Sequence, residues 1–180
     1  MKTKFNKKDL LLIPNILSYI RLLLIPVIVF LYFKSDNNLL VVGVILLSGF
    51  TDILDGYIAR NYNMISDFGK VLDPFADKLT QAVILGCLVI DFPIIILPLV
   101  TLIIKEIILF ITGLISIKNT NKVSGADWHG KLNTVLLYTT MMIHIIWRDI
   151  PNNISVGLFI MCEVMMIISL VLYTIRNLKK

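Results

Sequence analysis

Asp52-Ile53-Leu54-Asp55-Gly56-Tyr57-Ile58-Ala59-Arg60, then eight residues, then Gly69-Lys70-Val71-Leu72-Asp73-Pro74-Phe75-Ala76-Asp77, is the stretch on which the reading of this chain turns. Four carboxylates stand there between two strongly apolar runs. A charged side chain inside a membrane span costs at least ~2.5 kcal/mol on insertion scales, so the four demand a cationic partner. At about 100° per residue, Asp52 and Asp55 project from one helix face, and Asp73 and Asp77, a turn apart, share another. Two helices joined by a polar loop then aim all four at one point. Lys78 and Arg60 are the basic neighbours within these helices, and clustered hard oxygen donors without histidine or thiolate suit Mg2+ or Mn2+. The plainer alternative is carboxylates that ring a helix end and face water.

The surroundings of this stretch are those of a membrane protein. The chain has 180 residues, 57% of them hydrophobic and 16% charged, with a mean hydropathy of +0.87; soluble domains carry roughly 25% charged residues. Spans need about 20 apolar residues, and six apolar runs answer: approximately 13–33, 39–54, 73–90, 92–117, 132–147 and 154–175. The expected fold is all-α and polytopic, with six transmembrane helices in a single domain over 1–180, of which 1–12 form a basic juxtamembrane segment. The basic start and first apolar run read as a span rather than a signal peptide, because the run is long, contains Arg21 and Pro26, and lacks a small-residue cleavage site. Lys2–Lys8 either lie along the lipid surface as a short amphipathic helix or form a basic tail that only fixes topology.

Basic residues near spans are retained on the cytoplasmic side. With six spans, that side collects Lys2, Lys4, Lys7, Lys8, Arg60, Lys70, Lys118, Lys122, Lys131, Arg176, Lys179 and Lys180, against Lys34 and Arg148 opposite. Both termini are therefore expected in the cytoplasm, and the net charge of +5 reads as topology and attraction to anionic headgroups, not nucleic-acid binding. The outer connections, 34–38, 91–92 and 148–153, are short enough for hairpins. The inner ones, 61–72 and 118–131, are longer and polar, which makes the cytoplasmic face the working face. Cys87 and Cys162 lie inside spans without metal-ligand spacing and read as packing residues.

Gly56 and Gly69 remove side chains where another group can approach the backbone, and Arg60 is placed for a phosphate or simply for topology. At this point the residues resemble the CDP-alcohol phosphatidyltransferases, whose signature D-x2-D-G-x2-A-R-x8-G-x3-D-x3-D is matched by Asp52, Asp55, Gly56, Ala59, Arg60, Gly69, Asp73 and Asp77 with every interval kept. The resemblance implies an integral protein of a bacterial cell membrane, active site facing the cytoplasm, that transfers a phosphatidyl group from CDP-diacylglycerol to an alcohol and releases CMP. It also implies that Asp52, Asp55 and Asp73 ligate one or two divalent ions, that Asp77 is the general base or a further ligand, that Gly56, Ala59, Arg60 and Gly69 line the CDP site, and that the protein is a homodimer.

Pro14-Asn15, Arg21 and the run Gly130-Lys131-Leu132-Asn133-Thr134 look like segments of phosphatidylglycerophosphate synthases and related cardiolipin synthases. By that similarity Asn15 and Lys131 hold nucleotide or phosphate; the alternatives are a helix cap and an inner-loop charge. Lys105, beside Glu106 in the fourth span, is an intramembrane ionisable residue and so a functional candidate. In the phosphatidylglycerophosphate synthases that pair usually begins with Arg, and a second Arg follows eight residues on, where this chain has Gly113. The expected acceptor is glycerol 3-phosphate, with phosphatidylglycerol, as in a cardiolipin synthase, the alternative. A divalent-cation transporter with aspartates along a pore and a non-catalytic scaffold are the readings from other classes. His129 reads as an interfacial loop residue, and His144 and Glu163 as partners of each other or as packing and hydrogen-bonding groups.

Overall fold

The structure, a computed structural model, describes residues 11–62, 64, 66, 68–120 and 127–178, with 117–120 as backbone alone. The expectations placed on Lys2, Lys4, Lys7, Lys8, Lys122, Lys179 and Lys180, and on the side chain of Lys118, lie outside the described residues. The described residues form six long helices: α1 (Ile13–Lys34), α2 (Asn38–Asn61), α3 (Gly69–Asp91), α4 (Ile96–Thr120, preceded by a 3-10 turn at Pro93–Ile95), α5 (Trp128–Ile146) and α6 (Asn152–Leu178). The described residues contain no strand. They fall into two compact units, one ending at Cys87 and one starting at Leu88, so that the last turn of α3 belongs to the second unit.

Among the described residues, four segments are long and apolar enough to cross a membrane by length and composition: α1, α2, Pro93–Ser116 and α6. The third and fifth helices are present as well, but α3 carries Lys70, Asp73, Asp77, Lys78 and Asp91. Burial is inverted relative to a soluble protein. Arg21, Asp55, Asn15 and Gln81 are buried, while Leu23, Phe30, Phe50 and Ile53 are more than half exposed. Exposed apolar area of that extent needs lipid or another apolar cover.

The helices outrun the apolar segments at their polar ends. Hydropathy falls away after Leu54, yet α2 continues to Asn61, and α3 and α5 begin four residues before the apolar runs at Asp73 and Leu132. Hydropathy reports solvation by lipid, whereas the backbone ladder needs only the next hydrogen bond. The extra turns carry Asp55, Gly56, Ala59 and Arg60 on helix, as expected of the stretch before the 61–72 connection, and place His129 inside α5 instead of the inner loop.

In the first unit α1 and α2 form an antiparallel hairpin. Pro14 occupies the first turn of α1, where a missing N–H costs nothing, and Asn37 caps α2 by accepting from the Leu39 N–H at 3.0 Å. Buried Ile28, Tyr32, Val41, Val42 and Ile45 hold the end of the hairpin near its turn. Toward the other end the buried face of α1 becomes polar, with Ser18, Asn15 and Arg21.

In the second unit α6 packs on α4 and α5. His144 is fully buried, its Nδ1 2.8 Å from the Thr140 carbonyl and its Nε2 2.9 Å from Ser155 Oγ, with Phe92 and Phe159 against the ring. Glu163 instead accepts from Thr101 Oγ1 at 2.5 Å. The two are therefore structural hydrogen-bonding groups and not partners of each other. His129 is also buried, against Tyr173 and 3.3 Å from Ser169 Oγ, which replaces the interfacial loop position expected for it. Cys87 and Cys162 are free and buried.

Candidate active site

The carboxylate cluster is assembled from two helices of the first unit, α2 and α3. One ligand oxygen from each of Asp52, Asp55 and Asp73 lies within 4.8 Å of the others. Oxygens on opposite sides of a Mg2+ ion are about 4 Å apart, given ligand distances near 2.1 Å. The spacing and the all-carboxylate donor set therefore fit a small hard divalent cation. Asp55 is 3% exposed, whereas Asp52 and Asp73 are 44% and 42% exposed, so the cluster has one buried anchor and two members open to solvent or ligand.

The balancing positive charge comes from α1. Arg21 reaches Asp55 Oδ2 at 2.7 Å, Asp52 Oδ1 at 2.8 Å and Asp73 Oδ1 at 2.9 Å. Sequence reasoning looked for this cation among Lys78 and Arg60, the neighbours within α2 and α3, and overlooked it. The signal available was a lone arginine in an otherwise uncharged apolar run. Lys78 instead lies 3.3 Å from Asp77 Oδ2 and donates to Gln81 Oε1, and Gln81 Nε2 donates to Asp77 Oδ2 at 3.0 Å. Asp77 thus stands one turn beyond Asp73, beside Lys78 and Gln81.

A cavity of about 200 Å3 opens beside the cluster, lined by Asn15, Gly56, Ala59, Arg60, Gly69 and Asp73 among others. A second, more open groove of about 380 Å3 takes in Asp52, Gly56, Tyr57 and Arg60. Residues separated by most of the signature are therefore neighbours around one space. Gly56 and Gly69 serve it differently. A β-carbon on Gly56 would meet nothing within 4 Å among the described residues, so their packing does not call for glycine there. One on Gly69 would collide with the side-chain oxygens of Asn15 and Ser66.

Asn15 is not the cap of α1, whose N-cap position is Leu12. Its Nδ2 donates to Ser66 Oγ at 3.1 Å, and Ser66 Oγ accepts the Gly69 N–H at 2.9 Å. Ser66 was not singled out from the sequence; a serine three residues before the first residue of a helix is the available signal. Lys105 and Lys131 belong to the second unit. Lys105 is 3% exposed with its ammonium 3.3 Å from Glu106 Oε1, and Lys131 is exposed in the first turn of α5.

A family model for CDP-alcohol phosphatidyltransferase matches residues 11–175. The chain belongs to that family, and the match runs through both compact units. Over 80 residues it is 42% identical to the CDP-diacylglycerol–glycerol-3-phosphate 3-phosphatidyltransferase of Rickettsia typhi, covering 43% of this chain and 43% of that one. The protein of the same name from Pseudomonas fluorescens is 42% identical over 79 residues, 43% of this chain and 40% of the relative. The cardiolipin synthase (CMP-forming) of Homo sapiens is 47% identical over 73 residues, 40% of this chain and 24% of the relative. The matched stretch thus spans less than half the length of these curated relatives.

Proposed function

We propose that this protein transfers the phosphatidyl group of CDP-diacylglycerol to an alcohol with release of CMP, and that glycerol 3-phosphate is the acceptor. The observation that carries the reading is the convergence of Asp52, Asp55 and Asp73 beside a cavity lined by Asn15, Gly56, Ala59, Arg60 and Gly69. A Mg2+ or Mn2+ ion held by the three aspartates, when bound, neutralises the pyrophosphate and the leaving group. Arg60 contributes a guanidinium fork for a phosphate oxygen pair. The open space at Gly56 admits the nucleotide against the α2 backbone, and Asn15, held by Ser66, borders the same space.

Asp77 takes the proton of the acceptor hydroxyl. The acceptor oxygen then bonds to the β-phosphorus, and the bond from that phosphorus to the oxygen shared with CMP breaks, with CMP keeping the electron pair. The membrane arrangement that suits this chemistry has all six helices spanning, both termini and the carboxylates on the cytoplasmic side, and a homodimer as the assembly. Membership of a transferase family favours this over a cation transporter or a scaffold.

Glycerol 3-phosphate is preferred because Lys105 is a buried cation and because relatives from Rickettsia and Pseudomonas carry that acceptor in their names. Gly113 in place of a second arginine, with the similarity to human cardiolipin synthase, favours phosphatidylglycerol as the second reading. Offering CDP-diacylglycerol with each acceptor separately decides between them. Phosphatidylglycerophosphate as product supports the first; cardiolipin, with no turnover of glycerol 3-phosphate, overturns it and leaves the aspartate chemistry standing.

A further inference from the structure

Arg21 is among the largest fully buried side chains, at 1% exposure, and its head group stands in the middle of the carboxylates. Nη2 bridges Asp52 and Asp55, and Nη1 donates to Asp73. Its only other approach among the described residues is Nη1 to the Asp73 carbonyl at 3.5 Å, and its buried Nε has no partner. The guanidinium is thus fixed almost wholly by the three groups that define the metal-binding geometry.

Three carboxylates set against one guanidinium leave two negative charges, the charge of one divalent cation. A second cation brought to the same oxygens meets the first at a few ångströms in a poorly screened site, where like charges repel strongly. We propose that Arg21 is a positioning residue that holds Asp52, Asp55 and Asp73 convergent and yields their oxygens to an entering divalent ion, so that it limits how tightly the site binds metal. This rests on the three aspartates being the metal ligands. Arg21 weakens the metal and keeps the site assembled without it, which lets the ion exchange between turnovers instead of being trapped.

The test is Mn2+ binding by the full chain in detergent, read from the electron paramagnetic resonance signal of free Mn2+, for wild type, Arg21→Gln, Arg21→Lys and Asp55→Asn. Arg21→Gln binds Mn2+ about tenfold or more tightly, the order expected for removing a unit charge near a divalent ion. Arg21→Lys, which keeps the charge but loses the fork that engages several oxygens, falls between Gln and wild type. The thermal stability of both variants drops without metal and recovers with Mn2+ by more than wild type gains. A merely structural arginine predicts the opposite order of affinity, because disordered ligands bind less well. Unchanged or weaker Mn2+ binding in whichever variant is folded by circular dichroism overturns the proposal. Loss of binding in Asp55→Asn alongside a binding wild type keeps that outcome separate from failure of the metal assignment, which is indicated if neither wild type nor any variant binds.

Discussion

Asn15 Oδ1 lies too close to Gly69 for a β-carbon to fit there without one of them moving. The contact joins the first turn of α1 to the first residue of α3, and Ser66 seals it by accepting from both the Asn15 amide and the Gly69 N–H. Gly69→Ala is expected to force Asn15 out of position, at a cost of about 1–3 kcal/mol as for other overpacked sites. Gly43→Ala, at an exposed helical glycine with open space around it, should leave stability unchanged or raise it. Thermal unfolding of the two variants in the same detergent checks this; equal melting temperatures would mean that the α1–α3 contact is not tight.

Asp52→Asn, Asp55→Asn and Asp73→Asn should each lower metal-dependent CMP release by at least about 10²-fold, since even outer-shell changes at metal sites cost 10–100-fold. Their effects on folding should differ. Asp55 is buried against Arg21, so its loss leaves a buried charge short of a partner. Asp52 and Asp73 are far more exposed. The melting temperature should fall most for Asp55→Asn, and an equal fall across the three would remove Asp55 as the anchor.

Asp77 sits outside the tight group of three and accepts from Gln81. Asp77→Asn should reduce kcat by 10²–10⁴-fold, the usual order for loss of a general base. Nucleotide affinity, measured by calorimetry with CDP, should change less than threefold or so on the same reasoning. Binding that falls as far as rate would make Asp77 chiefly a metal ligand.

Lys105 is a buried cation paired with Glu106, and among the described residues nothing lies within 4 Å of where a β-carbon on Gly113 would be. Lys105→Ala should raise the KM for glycerol 3-phosphate about tenfold or more, in line with the loss of a charge-assisted contact. Gly113→Arg should lower that KM. Kinetics with glycerol 3-phosphate varied at saturating CDP-diacylglycerol distinguish this from a structural lysine, whose removal would depress kcat and stability and leave KM in place.

The helix order and the short connections between helices were legible in the sequence because apolar runs of spanning length are separated by Asn, Pro and charged residues. The spacing also picked out Asp52, Asp55 and Asp73, which the structure brings together, but not that Asp77 stands apart from them. What stayed hidden was tertiary: Arg21 lies 34 positions from Asp55 and 51 positions separate Asn15 from Ser66. No local rule links such residues until α1 and α2 are folded against each other. Local chemistry found the counter-ion of Asp77 in Lys78, 3.3 Å away, but not that of Asp52, Asp55 and Asp73, which is Arg21 from α1. The first polar turns of α3 and α5 were read as loop because hydropathy falls there, although the backbone is already helical.

The most direct test is CMP release from CDP-diacylglycerol by the purified full chain with glycerol 3-phosphate and phosphatidylglycerol supplied in parallel, with Mg2+, with Mn2+ and after chelation. CMP release that requires the divalent cation, is matched mole for mole by a phosphatidylated product, and disappears in Asp73→Asn is the predicted result. A folded, metal-supplied protein that releases no CMP with either acceptor, or releases it equally after chelation, would contradict the assignment of Asp52, Asp55 and Asp73 as the centre of a phosphatidyltransferase.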